Sequence, residues 1–406
     1  MHDFPTAEFG TRLRLARSDL GLSQAEVAGD AYSASYISHL ESGRRQPTAE
    51  VVQHLTSQLG LDSKWLWGDE EKQSNSTHRD AELAALEVRV HNAAVTRDYK
   101  SVLGEIEKAE FAADEHPSLW WGIRWSQAES QLALGSYEDC RITATELASR
   151  RLATVSPELR AAALALTSRA ERAAGHLERA LLSARDAVRA DSLPAQCRAV
   201  SLRELVASLA ELGRFDEAAE ASSELESFRE EIIDLQLLGL IAWTIGNVAY
   251  LTGDASRGAV EHNTASDLLR PEADLRLWGR FHKASAAMRL QSGSIDGVDF
   301  AIGRAAIGLE LAGNTSDHAE LCLLRAERAL IDDPEAALRL AVEGLGTTML
   351  PSQTHAEGLV IQARALQALG RHGEARSALN DSALSFDSVG AHRRSAEIWR
   401  ELATKP

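Results

Sequence analysis

A glycine recurs at nearly constant spacing through most of the C-terminal part of the chain. Its positions are Gly135, Gly175, Gly213, Gly253, Gly293 and Gly370. The first five lie 38–40 residues apart, and the unit "ALIDDPEAA" fills the wider gap without a glycine. The stretches between them are rich in Ala, Leu, Glu and Arg, which lose little side-chain freedom in a helix. This period predicts helical hairpins that are stable only when stacked on their neighbours. A degenerate first unit is expected near "EVRVHNAAVTRDYKSVLGEIEKAE".

The segment before these repeats reads as five short helices. In "FGTRLRLARSDL" an apolar face is expected from Leu13, Ala16 and Leu20, and Gly21 ends this first helix. Arg12, Arg14 and Arg17 are expected elsewhere on the surface of that helix.

Capping residues mark the other helices of this segment. Ser23 and Glu26 form a capping-box pattern that predicts a second helix over "SQAEVAG". Ser33 predicts the start of a third helix, "ASYISHLES", which Gly43 ends. Pro47 and Thr48 open a fourth helix, "TAEVVQHLTSQLG", and "DSKWLW" supplies a fifth helical turn.

The run "DEEKQSNSTHR" has no apolar residue and predicts a solvated linker between two domains. We therefore divide the chain into a helical domain over 1–68, a linker over 69–79 and a repeat domain over 80–406. Strand-type alternation is hard to find, so the predicted fold class is all-α. The three cysteines have no metal-ligand or paired spacing, which favours free thiols in a reducing compartment.

Helices two and three, joined by a short turn, form a helix-turn-helix unit. In that motif the second helix lies in the major groove of DNA and presents its N-terminal residues to base edges. Gln24 can bond a phosphate, and arginines in the following loop suit charge-assisted phosphate contacts. The predicted DNA-binding residues are Gln24, Ser33, Ala34, Ser35, Tyr36, Ser38, His39, Arg44 and Arg45.

The segment from Phe9 to Trp67 resembles the Xre/Cro-type (lambda-repressor-like) helix-turn-helix domain. The resemblance rests on "LRLARSDLGLSQAEVAG", "SYISHLESGRRQPT" and "LTSQLGLD", in that order. Residues 1–70 hold six Lys/Arg and ten Asp/Glu, a net charge of −4. A helical protein-binding module that does not touch DNA is the alternative interpretation. Five arginines are nevertheless concentrated in two short segments, and local charge decides a docking face.

The C-terminal array resembles tetratricopeptide repeats in the lengthened form of bacterial sensor regulators, a right-handed superhelical solenoid. That resemblance implies that the first helix of each hairpin lines an inner groove. Counting back about three, six and ten residues from each turn glycine selects the groove positions. The candidate ligand-binding residues among them are Trp125, Glu129, Arg169, Arg172, Arg203, Trp243, Asn247, Tyr250, Lys283 and Arg364.

This set has five cations and one acid, although residues 71–406 carry a net charge of −13. Arginine beside Trp and Tyr is typical of a recognition surface, and Asn can bond a ligand's extended backbone. We therefore expect the groove to bind a short peptide or another small anionic ligand. For each residue alone, a core or solvated role is the alternative.

The two parts together resemble the RRNPP peptide-sensing regulators. That resemblance implies a cytoplasmic homodimer that binds a double-stranded DNA operator, and whose solenoid senses a quorum-sensing peptide and repositions two DNA-binding heads. A protein-interaction scaffold is the alternative, with the helix-turn-helix unit serving localisation or dimerisation.

No nucleotide-binding, hydrolase or metal motif occurs, and no apolar run approaches membrane-spanning length. We predict neither catalytic residues nor a metal or cofactor. The final segment "GAHRRSAEIWRELA" is either a cap of the array or a dimer contact.

Overall fold

The computed structural model describes residues 6–61, 65–66, 70–109, 116–190, 192–347 and 350–404. These residues form twenty-two α-helices and one short 3-10 turn, with no strand among them. The all-α fold class is therefore confirmed. The chain divides into two compact units, Met1–Arg89 and Val90–Pro406.

The N-terminal unit contains the helices α1 (Thr6–Asp19), α2 (Gln24–Ala28), α3 (Ala34–Glu41) and α4 (Ala49–Leu59). The predicted caps are present. Ser23 and Glu26 form the capping box of α2, and the Ser33 hydroxyl accepts from the Tyr36 amide at the start of α3. Of the predicted fifth turn of helix, the structure describes two residues, 65–66, both helical; the rest of it lies outside the described residues.

One apolar core joins these helices. It contains Phe9 and Leu13 from α1, Ile37 from α3 and Leu55 from α4, among others. The prediction that Leu20 lies on the same apolar face as Leu13 is wrong. Helix α1 ends at Asp19, and the Leu20 side chain is exposed.

Helix α5 (Glu70–Val95) crosses the boundary between the two units. Residues 70–79, predicted as part of a linker, therefore have helical backbone. Arg97, with φ +59°, turns the chain after α5 without a glycine. Asp98 then caps the next helix through the Ser101 amide, so the degenerate first repeat is a helical hairpin.

The C-terminal unit continues as stacked hairpins. Its helices are α6 (Tyr99–Glu107), α7 (Pro117–Leu134), α8 (Tyr137–Ser149), α9 (Arg151–Val155), α10 (Pro157–Ala173), α11 (Leu177–Val188), α12 (Ala195–Glu211), α13 (Phe215–Ser227), α14 (Leu235–Leu251), α15 (Ala255–Leu268), α16 (Leu275–Gln291), α17 (Val298–Ala312), α18 (Thr315–Ala329), α19 (Pro334–Leu345), α20 (Ser352–Ala368), α21 (His372–Ser388) and α22 (His392–Thr404). The 3-10 turn is Arg229–Glu231.

All six repeating glycines take a left-handed backbone, with φ between 72° and 91°. They lie in the turn inside a hairpin, where an L side chain would be strained. The repeat prediction is therefore confirmed at the level of single backbone angles. The unit without a glycine makes its turn at residues 330–333, and Asp333 caps α19.

The first helices of successive hairpins, α7, α10, α12, α14, α16, α18 and α20, pack against one another in order. We call this surface the first-helix row. Arg276 on α16 donates from Nη1 to the Ala133 carbonyl oxygen on α7 at 3.3 Å, although three hairpins separate them in sequence. Arg97 likewise contacts Asp274 at 2.5 Å. The array therefore curls on itself, with the first helices towards the inside.

Helix α22 packs on the end of the array. Ile398 and Leu402 join an apolar cluster with Val360 and Phe386 from the last hairpin. Its apolar face is therefore covered by this chain, as expected for a capping helix.

Candidate functional site

Helix α3 exposes a polar surface next to two arginines. Ile37 and Leu40 face the core and are fully buried. The exposed residues of this surface are Ser33, Ala34, Ser35, Ser38 and His39. Because buried residues of a helix recur every three to four positions, burying Ile37 and Leu40 leaves the predicted base-contacting residues facing water.

Tyr36 is fixed by its neighbours. Its ring stacks on Tyr32, with the centroids 5.3 Å apart, and packs partly against the core. The Arg45 guanidinium carbon lies 4.8 Å from the centre of the same ring. Gly43, with φ +69°, turns the chain so that Arg44 and Arg45 follow α3 directly and remain exposed. Tyr36 thus holds one of the two predicted phosphate contacts beside the helix.

The buried carboxylate of Glu41, at the C-terminal end of α3, bonds side chains of α1 and α2. The Arg17 guanidinium donates from Nε to Glu41 Oε1 at 2.6 Å, and Gln24 Nε2 donates to Glu41 Oε2 at 2.8 Å. Arg17 also donates to the Leu22 carbonyl oxygen at 2.9 Å. Arg17, expected on the surface of its helix, is half-buried and paired with Glu41, which neutralises it and ties α1 to α3. Gln24 lies in the same network, so its amide group is held in one orientation.

The second candidate site is the first-helix row. The repeat count places Trp125 and Glu129 on α7, Arg169 and Arg172 on α10 and Arg203 on α12. It places Trp243, Asn247 and Tyr250 on α14, Lys283 on α16 and Arg364 on α20.

Glu204 on α12 pairs with two of the row's arginines. Arg169 Nη2 donates to Glu204 Oε1 at 3.1 Å, and Arg172 Nη2 donates to Oε2 at 3.0 Å. Arg172 also pairs with Glu211 at 2.5 Å. Although Glu204 is almost fully buried, the surrounding arginines lower its pKa to about 2, so it remains ionised.

Further along the row, the cations of α16 pair with acids of α18. Lys283 bonds Glu320. Arg276 and Arg280 donate through their Nε atoms to the two oxygens of Asp317, each at 2.6 Å. The cationic surplus inferred from the sequence is therefore largely cancelled. The counting missed these acids because the α18 hairpin has no reference glycine, and because Glu204 falls between two counted positions.

The centre of the row is apolar and amide-bearing. Helix α14 contains no charged residue over Leu235–Leu251. Trp243 packs edge-on against Phe281, with the ring centroids 5.5 Å apart. The Asn247 side-chain oxygen lies 3.1 Å from His262 Nε2, and His262 Nδ1 lies 3.2 Å from the Ser285 hydroxyl.

This arrangement fixes the hydrogen-bonding role of Asn247. Burial lowers the pKa of His262 to about 4, so the ring is neutral at physiological pH. A neutral ring that donates from Nε2 to Asn247 accepts at Nδ1 from Ser285. His262 therefore orients the amide of Asn247, a role that no spacing rule in the sequence identifies.

The N-terminal end of the row holds stacked aromatic rings. Trp121 and Trp125 lie parallel, with their centroids 5.4 Å apart, and both pack into the local core. The side chain of Glu129 is exposed, but the surrounding protein partly desolvates its carboxyl and raises its pKa. The positive charge of Arg169 partly offsets this rise. Trp125 thus contributes to the core as well as to the row.

The N-terminal unit matches the sequence model of a known domain family. Residues 8–64 match the family model described as "Helix-turn-helix domain". The N-terminal unit is a helix-turn-helix domain. Comparison with curated proteins gave no match.

The whole chain is similar in fold to two solved structures. One is a Rap protein complexed with competence and sporulation factor, at 12% identity and a TM-score of 0.51 over 98% of this chain and 97% of that one. The other is aspartyl phosphate phosphatase F from Bacillus subtilis, at 12% identity and a TM-score of 0.50 over 95% of each chain. At this identity the likeness establishes the helical-repeat fold alone. None of the described helices is long and apolar enough to cross a bilayer.

Proposed function

We propose that this protein is a sequence-specific DNA-binding transcriptional regulator whose solenoid senses a short peptide or another small anionic ligand. The observation that supports DNA binding is the exposed polar face of α3 beside Arg44 and Arg45, in a helix-turn-helix domain. In this role α3 enters the major groove, and the two arginines bond phosphates on its flank. Small hydroxyl side chains on α3 let the backbone approach the bases closely.

A gel-shift experiment tests DNA binding. The full chain is titrated onto duplex DNA from upstream of its own gene, and wild type is compared with Arg44→Ala/Arg45→Ala. Losing two phosphate contacts is expected to weaken binding at least tenfold and to reduce its salt dependence. The matched control is Arg151→Ala/Arg160→Ala, which removes the same charge from exposed positions of the solenoid. Absence of any wild-type shift at low salt would instead favour a protein-interaction scaffold.

The proposal for the solenoid rests on the centre of the first-helix row. Asn247, held by His262, offers its amide to a peptide backbone, and Trp243 and Tyr250 offer aromatic surface. The solved Rap protein of similar fold is complexed with competence and sporulation factor, and this supports the proposal of a bound ligand. Native mass spectrometry of the purified full chain would detect a ligand that co-purifies with it.

We further propose that the regulator acts in the cytoplasm as a homodimer, so that two helix-turn-helix domains bind one operator. The ligand would reposition these domains by binding one shape of the solenoid more tightly than another. Sedimentation velocity with and without ligand tests this step. A monomer at micromolar concentration in both samples would refute it.

A further inference from the structure

Of the cations predicted for the first-helix row, Arg203 is held differently from the others. Arg169 and Arg172 are paired with Glu204, and Lys283 is paired with Glu320. Arg364 is exposed to water and faces Glu327. Arg203 is half-buried, and no carboxylate bonds it within the described residues.

The contacts of Arg203 leave most of its donors free. Its Nε donates to the Thr244 hydroxyl at 3.3 Å, and Nη1 and Nη2 have no hydrogen-bond partner within the described residues. Helix α14, which packs beside it, supplies no charge. Burial, together with the nearby charges of Arg169 and Arg172, lowers the pKa of Arg203 to about 10 against the opposing effect of Glu204. Partly removing a guanidinium from water without a bonded carboxylate is costly, so an anion placed here would be favourable.

Two residues of α14, the helix that Arg203 contacts through Thr244, occupy neighbouring positions of the repeat. The equivalent position one repeat further on is Trp243, whose indole N–H is buried without an acceptor in the described part of the chain. Asn247 lies about one turn further along α14 and is half-buried. The Arg203 cation and the Asn247 amide are both hydrogen-bond donors, and together they suit a ligand rich in acceptor oxygens.

We propose that Arg203 is the carboxylate-binding residue of the solenoid's ligand site. This inference rests on the proposed function, and it selects one residue from the row. The Arg203 fork bonds both oxygens of a ligand carboxylate, and Asn247 donates to a neighbouring carbonyl group. The carboxylate is either a peptide C-terminus or an Asp or Glu side chain.

The test uses three pools of short random peptides as probes. The first has free C-termini, the second is amidated, and the third is amidated and lacks Asp and Glu. Each pool is incubated with the full-length protein, and the peptides retained after gel filtration are identified and quantified by mass spectrometry. Comparison of the first two pools distinguishes a terminal from a side-chain carboxylate.

Wild type is expected to retain peptides from the first or second pool and few from the third. Arg203→Gln is expected to weaken retention about tenfold to hundredfold, the effect of one charge-assisted hydrogen-bond pair. Arg203→Lys, which keeps the charge but loses the fork, is expected to fall between them and provides a second variant if Arg203→Gln folds poorly. Arg151→Gln, which removes the same charge at an exposed position outside the first-helix row, is the matched control and should stay within twofold of wild type.

The outcomes separate the two proposals. If wild type retains no peptide from any pool, peptide sensing itself fails. If wild type retains peptides from all three pools equally, or if Arg203→Gln folds and retains them as wild type does, the Arg203 assignment is overturned while peptide sensing stands.

Discussion

Replacing Asp317 by alanine should destabilise the solenoid more than removing an exposed acid. The Asp317 side chain has no exposed surface and accepts hydrogen bonds from Arg276 and Arg280. Its Oδ2 also accepts from the Asn314 backbone amide at 3.0 Å, and Asn314 Oδ1 accepts from the Asp317 amide, completing the capping box of α18. One carboxylate therefore joins two neighbouring hairpins and starts a helix.

The magnitude follows from the pKa of this carboxyl. The two arginines and the Asn314 amide lower it from 3.8 to about 2 despite its burial. At about 1.4 kcal/mol per unit, this shift contributes about 2 kcal/mol to the free energy of unfolding. Alanine also leaves Arg276 and Arg280 unpaired, and losing one partner of a buried pair costs about 3–5 kcal/mol. Because Arg280 is partly exposed and can be rehydrated, we expect about 3 kcal/mol for Asp317→Ala.

The pH dependence has a definite sign. A carboxyl whose folded pKa lies below its unfolded value stabilises the fold fully above the unfolded value, and that stabilisation is lost as the pH falls through the folded value. The difference between wild type and Asp317→Asn should therefore be constant above about pH 5. It should shrink between pH 3.8 and about 2.

Urea unfolding followed by circular dichroism at 222 nm measures the change. Because repeat arrays can unfold in parts, hydrogen exchange of peptides from α16 and α18 shows where the stability is lost. Glu374→Ala, which breaks an exposed pair with Arg371, is the control and should change nothing measurable. A loss below about 1 kcal/mol for a folded Asp317→Ala, with unchanged exchange in α16 and α18, would refute the reasoning.

Three further predictions concern other buried contacts. Gly10→Ala should unfold the helix-turn-helix unit and abolish its gel-shift, because the added Cβ would lie 2.3 Å from the Leu40 carbonyl oxygen; a normal melting curve would contradict this. Glu41→Ala should lower the stability of the same unit by about 2–4 kcal/mol in urea unfolding, since it leaves Arg17 without its partner; a loss no larger than that of an exposed ion pair would be inconsistent with this network. For His262 the folded pKa of about 4 lies below the unfolded 6.5, so the unfolded chain binds more protons and the solenoid loses stability as the pH falls from 6.5 towards 4. His262→Leu should flatten that dependence in thermal melts between pH 7 and 5, and an unchanged slope would contradict the assignment.

Local signals in the sequence were read correctly because their effects act over a few residues. A capping Ser or a turn glycine changes the backbone within one helical turn, whatever lies elsewhere. The capping box of Ser23 and Glu26 and the left-handed turn at Gly213 are examples. The exposed face of α3 followed from the same kind of periodicity.

One error was local, and the others arose where a residue's partner lies far away in the sequence. Leu20 fitted the apolar period, but its helix ends one residue earlier. Arg17 looked like a surface cation because its partner, Glu41, is 24 residues away. The acids that neutralise the row's cations lie one repeat further on, so a count made within each hairpin could not find them.

The sequence by itself determined the fold class, the hairpin period and the position of the helix-turn-helix unit, because periodicity, caps and turn glycines are properties of short segments. Only the tertiary structure decided which charges remain available. Arg169 and Arg203 are both predicted as cations of the groove, yet packing brings Glu204 to Arg169 and an uncharged helix to Arg203. The energy of a charge depends on its neighbours in space and on its access to water, and both are set only when the helices pack.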